Sequence, residues 1–140
     1  MTSPTRHKAT RSSASGLVRG AWALLAVFLL AWTVLEMVNH GGGGTIPLGI
    51  AGFIAPDLTL FVGPAGPHES GQLPRGKVPA YNLVHRPIGP VLGLVVVPFL
   101  PGDGPGANVG LFTFGLAWLL HIASDRALGY GLRTADGWQR

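Results

Sequence analysis

The chain has 140 residues, of which 47% are apolar and 11% are charged, whereas about 25% of residues are charged in an average soluble domain. It contains no cysteine, which excludes disulfide bonds, thiolate metal sites and cysteine nucleophiles. The apolar residues lie in four long blocks between glycine-rich, proline-rich or basic segments, a pattern that excludes an ordinary soluble core and indicates a membrane protein.

Residues 1–16 are rich in serine, threonine and basic residues and show no apolar periodicity, which predicts a disordered tail. Residues 17–38 form an almost unbroken apolar run. The run is longer than the apolar core of a signal peptide, and no small-residue cleavage site follows it. It predicts a first transmembrane helix that is retained.

The second apolar run covers residues 46–62 and follows a turn with four consecutive glycines. Pro56 and Asp57 interrupt it. Because Pro56 has no N–H to donate to the carbonyl of Gly52, the sequence predicts a transmembrane helix that is broken beside its only acidic residue.

The third run, residues 78–100, is the least regular, because His85 is followed closely by Pro87 and Pro90. Each proline removes a backbone donor, and the residue before a proline is biased away from helical geometry. The pattern predicts two half-helices that meet near His85.

A fourth run covers residues 107–128, and residues 133–140 form a polar tail. The sequence therefore predicts an all-α integral membrane protein. Its membrane domain, residues 17–132, is expected to be a bundle of four transmembrane helices, with the second and third helices broken by prolines.

The basic residues indicate the orientation of this bundle. Nine of the ten lysines and arginines lie outside the apolar runs or at their ends. They precede or begin run one, lie between runs two and three, or lie at or after the end of run four. The tenth, Arg86, lies within run three. By the positive-inside rule, both termini are expected on the cytoplasmic side of the cell membrane. The net charge of +4 is thus a topology signal, and nucleic acid is not an expected partner.

Polar residues within the runs collect at one depth. At about 1.5 Å per helical residue, they fall in a single layer in the cytoplasmic half of the bundle. His121 and Asp125 also share one helix face. Because ionisable groups in a membrane face the bundle interior and pair there, we expect one polar site. Its candidate residues are Asp57, Asn82, His85, Arg86, His121, Asp125 and Arg126.

Three functions are compatible with such a site. The polar groups could saturate one another and hold the helices together. Alternatively, Asp57, His85, His121 and Asp125 could bind one divalent metal such as zinc, iron or manganese, because carboxylate and imidazole ligands suit these ions. A proton or ion path is the third alternative, although the outer half of the bundle offers almost no ionisable groups.

The metal hypothesis predicts a membrane-embedded hydrolase that acts at the inner leaflet. A bound metal can activate water, and Arg86 or Arg126 could hold an anionic substrate such as a lipid phosphate. Arg86 and Arg126 could equally be counter-ions for the buried acids. Two small-residue pairs, Ala51 with Ala55 and Gly89 with Gly93, are expected to be helix contact points.

Three segments, Ala55-Pro56-Asp57-Leu58, Tyr81-Asn82-Leu83-Val84-His85 and the stretch from His121 to Leu132, resemble in order and spacing a family of small bacterial membrane proteins, domain of unknown function 4260. The resemblance covers the first run through Leu132. It implies a four-span membrane protein with no established activity.

A weaker likeness runs to the membrane-bound metal-dependent hydrolases, whose pattern is Pro-Asp-x-Asp, then His-Arg-x-x-Thr-His, then His-x-x-x-Asp. Pro56-Asp57, His85-Arg86 and His121 with Asp125 fit this pattern in order. Thr59 and Pro90 stand where the second aspartate and the second histidine should be. The likeness implies, at most, a reduced metal site with four protein ligands.

Overall fold

The structure, a computed structural model, describes residues 13–104 and 106–140. These residues form helices and connecting segments without a β-strand, apart from one isolated antiparallel bridge between Arg133 and Gln139. The all-α class that the sequence predicts is confirmed. The helices are α1 (Ser13–Asn39), α2 (Thr45–Leu58), α3 (Val78–Val84), α4 (Ile88–Val96) and α5 (Val109–Leu128).

Helix α5 is the centre of the fold. It packs against α1, α2 and α4, and its side chains Leu116 and Ile122 are almost completely buried. Small residues permit the close approach of the neighbouring helices. A Cβ atom at Gly52 of α2, for example, would overlap the carbonyl oxygen of Phe114 in α5. The backbones of α2 and α5 are therefore in direct contact at this point.

Helix α1 begins at Ser13, within the stretch predicted to be a tail. Residues 1–12 of that predicted tail lie outside the described residues. After α1, the glycine-rich turn ends at Gly44, whose φ of 82° is a left-handed conformation that glycine adopts without the strain of a Cβ. Helix α2 can therefore start directly at Thr45.

Pro56 does not break α2. The helix includes this proline and continues to Leu58, where it passes into a short 3₁₀ turn, Thr59–Phe61. The hydroxyl of Thr59 donates to the carbonyl of Pro56 at 2.6 Å. The predicted break is wrong here because a single missing donor in the last turns of a well-packed helix is not enough to interrupt it.

The chain from Val78 to Val96 forms the two short helices α3 and α4, and Pro87 lies between them. Two backbone carbonyls at this junction accept hydrogen bonds from side chains of α5. The Trp118 indole donates to the Val84 carbonyl at 2.8 Å, and Arg126 donates to the His85 carbonyl at 2.9 Å. Helix α5 thus supplies donors where the helical hydrogen bonds stop.

Residues 133–140, predicted to be a tail, pack against the rest of the chain. The Asn82 side chain donates to the Arg133 carbonyl at 2.9 Å and accepts from the Arg133 N–H at 2.8 Å. Arg75 and Asp136 form an exposed ion pair at 3.1 Å. These contacts join the C-terminal segment to α3 and to the loop that precedes it.

The outside of the molecule is strongly apolar. Leu24 and Val27 of α1 are 75% and 67% exposed, and many other large apolar side chains are also exposed. Two helical stretches, Ser15–Asn39 and Arg75–Phe99, have the length and composition needed to cross a membrane, and Thr45–Phe61 is a shorter apolar helix. Membrane insertion is therefore suggested, although only weakly, by the length and composition of two helices.

Candidate metal centre

Two histidines and two aspartates come together where α2, α3 and α5 meet. Asp57 lies one residue before the end of α2, and His85 directly follows the last residue of α3. His121 and Asp125 lie one turn apart on α5, so their side chains share a helix face. Three separate helices thus contribute the four side chains of one cluster.

The cluster is compact. The Nε2 atoms of His85 and His121 are 3.4 Å apart. The Asp57 Oδ1 atom lies 3.8 Å from the Nε2 of His85 and 3.6 Å from that of His121. The Asp125 Oδ2 atom lies 3.7 Å and 3.6 Å from the same two nitrogens. Both imidazoles therefore point their Nε2 atoms at each other and at two carboxylate oxygens.

These separations are longer than ordinary N–H···O hydrogen bonds, which measure about 2.7–3.2 Å. They are close to the separation between two ligands of one metal ion. With metal–ligand bonds of about 2.1 Å and tetrahedral angles, two ligand atoms lie about 3.4 Å apart. Asp57, His85 and His121 each offer one ligand atom, and the three atoms all lie within 4.8 Å of one another.

The His85 imidazole is fixed in the orientation that metal binding requires. Its Nδ1 atom is 2.8 Å from the carbonyl oxygen of Tyr81. Because a carbonyl oxygen only accepts, Nδ1 carries the hydrogen, and the neutral ring presents its lone pair on Nε2. The Tyr81 ring also stacks on His85, with centroids 3.8 Å apart and planes 18° apart.

Burial differs sharply among the four residues. His85 and His121 are 1% and 6% exposed, whereas the side chains of Asp125 and Asp57 are 20% and 57% exposed. The imidazoles thus form the floor of the site, and the site opens beside Asp57.

No arginine or lysine of the described residues lies within ion-pair distance of the two carboxylates, and the charge of Arg126 acts on Asp125 only from farther away. The contacts of these carboxylates within ion-pair distance are with the two histidines, and the Arg75 ion pair with Asp136 lies elsewhere. Each of the two carboxylates carries a negative charge when it is ionised. One divalent cation would neutralise them.

The other residues of the predicted polar site have different contacts. Arg126 donates to the carbonyls of His85 and Tyr130, and Asn82 bonds the backbone of Arg133. Arg86 is exposed. Neither arginine makes an ion pair with the acids among the described residues, but the charge of Arg126 does act on Asp125, so the counter-ion role stays a prediction. The hydrogen bonds of Arg126 go instead to backbone carbonyls that a sequence pattern does not reveal.

Three aromatic or basic residues around the cluster were not expected from the sequence. Tyr81 stacks on His85, and Arg133 lies over the Tyr81 ring with its guanidinium carbon 5.7 Å from the centroid. Phe53 packs edge-on against His121, with ring centroids 5.5 Å apart. Only Tyr81 gave a sequence signal, its position one helical turn before His85.

The ligand set is suited to one metal ion of the zinc, iron or manganese class, since imidazole nitrogens and carboxylate oxygens bind these ions. A catalytic zinc site holds the metal with three protein ligands and keeps a fourth position for water or substrate. Asp57, His85 and His121 match that number of ligands. Asp125 lies beside them, against both imidazoles.

The family model described as "Domain of unknown function (DUF4260)" matches residues 22–140, which include all four residues of the cluster. No curated protein matches the chain, and no solved structure does.

Proposed function

The chain belongs to the DUF4260 family, and from the cluster in this member we propose that it is a multi-pass membrane protein with a hydrolytic metal centre. The observation that carries the proposal is the set of separations from 3.4 to 3.8 Å among the Nε2 atoms of His85 and His121 and the Oδ1 atom of Asp57. A polar core that saturates itself would instead bring donors and acceptors to hydrogen-bond distance.

In this proposal, Asp57, His85 and His121 are the three protein ligands of a divalent metal. Asp125, which the sequence pattern placed among four ligands, takes a second role. It lies beside both imidazoles, where its carboxylate would serve as the general base for a water bound at the site. The metal would supply a water whose pKa is lowered to about 7 and would polarise the bond that is cleaved.

The proposed substrate is an ester or a phosphoester that reaches the site from the side of Asp57. The exposure of that carboxylate and the apolar surface of the surrounding helices support access from the membrane or its edge. The distribution of basic residues, interpreted by the positive-inside rule, supports a position of this edge at the inner leaflet. Arg86 or Arg126 would attract an anionic group of the substrate, such as a lipid phosphate.

Elemental analysis is the direct test of the metal centre. Protein purified in mild detergent without a histidine tag is expected to contain about one equivalent of zinc, iron or manganese. His121→Ala should remove this metal, because the variant loses one of three ligands. The matched control is His68→Ala, which removes an exposed loop histidine and should leave the metal content unchanged.

The alternative function is a structural polar core, and the same measurement separates the two. In that case neither the wild type nor His68→Ala would contain metal, and His121→Ala would lower the stability of the protein instead. Metal that stays bound at one equivalent in His121→Ala would place it at another site and would contradict the proposal.

The proposed topology has its own test, which the absence of cysteine makes simple. Gly42 and Gly66 are exposed glycines at which an added Cβ meets nothing within 4 Å. Gly42→Cys should react with a membrane-impermeant maleimide added to intact cells, and Gly66→Cys should react only after the cells are opened. The reverse pattern would contradict the inward orientation of the termini.

A further inference from the structure

A basic groove lies between the outer face of α3 and the C-terminal segment. It has a volume of about 390 Å³ and is lined by three arginines, Arg75, Arg86 and Arg140. Its apolar wall includes Val78 and Leu83. The groove is separate from the His and Asp cluster, since Asp57, His85, His121 and Asp125 do not line it.

The arginines of this groove are available for a ligand. Arg86 is exposed, and its side chain makes no hydrogen bond or ion pair within the described chain; the same holds for the Arg140 side chain. Arg75 pairs with Asp136, but both side chains are mostly exposed, at 73% and 63%. An exposed ion pair of this kind contributes little and can be exchanged for a stronger anion.

The positive-inside rule accounts for arginines on this side of the membrane, but it does not account for three of them lining one groove. A guanidinium group presents a planar fork of donors that matches the oxygens of a phosphate. Asn82, which also lines the groove, is already engaged with the backbone of Arg133. The free donors of the groove are therefore guanidinium groups.

We propose that this groove binds the phosphate of an anionic lipid headgroup. Charge complementarity identifies the phosphate, and the apolar wall identifies its source as a lipid. Leu83, on that wall, is 70% exposed and can pack against the glycerol and the first methylene groups of an acyl chain. The anionic lipids of the cytoplasmic leaflet supply such headgroups. This site does not depend on the metal centre.

The test is lipid binding by the full chain in detergent, measured by native mass spectrometry. Phosphatidylglycerol and phosphatidylcholine with identical acyl chains are the two probes. The wild type is expected to retain phosphatidylglycerol preferentially, and Arg86→Gln/Arg140→Gln to bind it about tenfold or more weakly, with unchanged binding of phosphatidylcholine. An unchanged circular dichroism spectrum and an unchanged midpoint of thermal unfolding would show that this variant is folded.

The matched control is Lys8→Gln/Arg11→Gln, which removes the same number of charges from the N-terminal stretch. Its binding of phosphatidylglycerol should equal that of the wild type. An equal loss in both double variants would show a general charge effect and would overturn the proposal. Displacement of the lipid by inorganic phosphate would make the free anion the occupant and would overturn the assignment to a lipid.

Discussion

Asp125→Asn is expected to keep its metal and to lose hydrolytic activity by about 10²–10⁴-fold, the range that general acid–base catalysis contributes. Asparagine has nearly the same shape as aspartate, so the packing beside His85 and His121 should be preserved. Its amide cannot accept a proton from water at neutral pH. The measurement is kcat/KM with p-nitrophenyl phosphate and p-nitrophenyl butyrate, together with elemental analysis of the same samples.

Asp103→Asn is the control, because it makes the same chemical change at an exposed turn residue. It should leave both activity and metal content unchanged. Loss of the metal together with the activity in Asp125→Asn would show that Asp125 is a ligand, as the sequence pattern alone suggests. Full activity in Asp125→Asn would contradict any role for this carboxylate in the proton transfer.

The convergence of the cluster could be expected from the sequence because it follows from helix geometry. His121 and Asp125 share a face through the 3.6-residue period alone. Asp57 lies near the end of α2, and His85 directly follows the end of α3. Helix ends and the rise per residue are local properties. The depth of each polar residue in the bundle could therefore be estimated without knowledge of the tertiary contacts.

The partners of Arg126 and Asn82 could not be expected in the same way. The guanidinium of Arg126 bonds the His85 carbonyl, and Asn82 bonds the backbone of Arg133. Both contacts join residues distant in sequence, and both use backbone groups that lie outside regular helical hydrogen bonding. A sequence pattern identifies polar side chains, but it does not show which backbone groups remain free to bond them.

The helix contacts were also only partly predictable. A Cβ atom added at Gly89 would lie 3.0 Å from the Trp118 ring, whereas one added at Gly93 would meet nothing within 4 Å. In α2 the residue against α5 is Gly52 rather than Ala51, which is exposed. A shift of one residue rotates the contact by about 100° around the helix. The predicted contact is therefore wrong for Ala51, and for the half-buried Ala55 it stays a prediction.

Gly52→Ala is expected to cause the largest loss of stability among single substitutions that add one methyl group in α2. An added Cβ would overlap the Phe114 carbonyl oxygen and lie 3.0 Å from the Phe114 carbonyl carbon and Cα. Backbone atoms of a central helix cannot rotate away as a side chain can, so α2 must move. Overpacking of this kind costs about 1–3 kcal/mol or more, and we expect a value near the upper end.

The midpoint of thermal unfolding in detergent is the first measurement, with an expected fall of about 5 °C or more. Gly93→Ala is the control, because it makes the same substitution in α4 where an added Cβ meets open space. Its midpoint should stay the same or rise slightly, since alanine favours a helix over glycine by about 1 kcal/mol. Equal midpoints for the two variants would contradict the close packing of α2 on α5.

The same variant links the packing of the helices to the metal centre. Asp57 lies on α2 five residues after Gly52, whereas His121 lies on α5, so displacement of α2 moves one proposed ligand away from another. Metal affinity depends on ligand positions within a few tenths of an ångström. Gly52→Ala should therefore bind metal more weakly than Gly93→Ala even at a temperature where both are folded. Equal affinity would show that Asp57 is dispensable as a ligand.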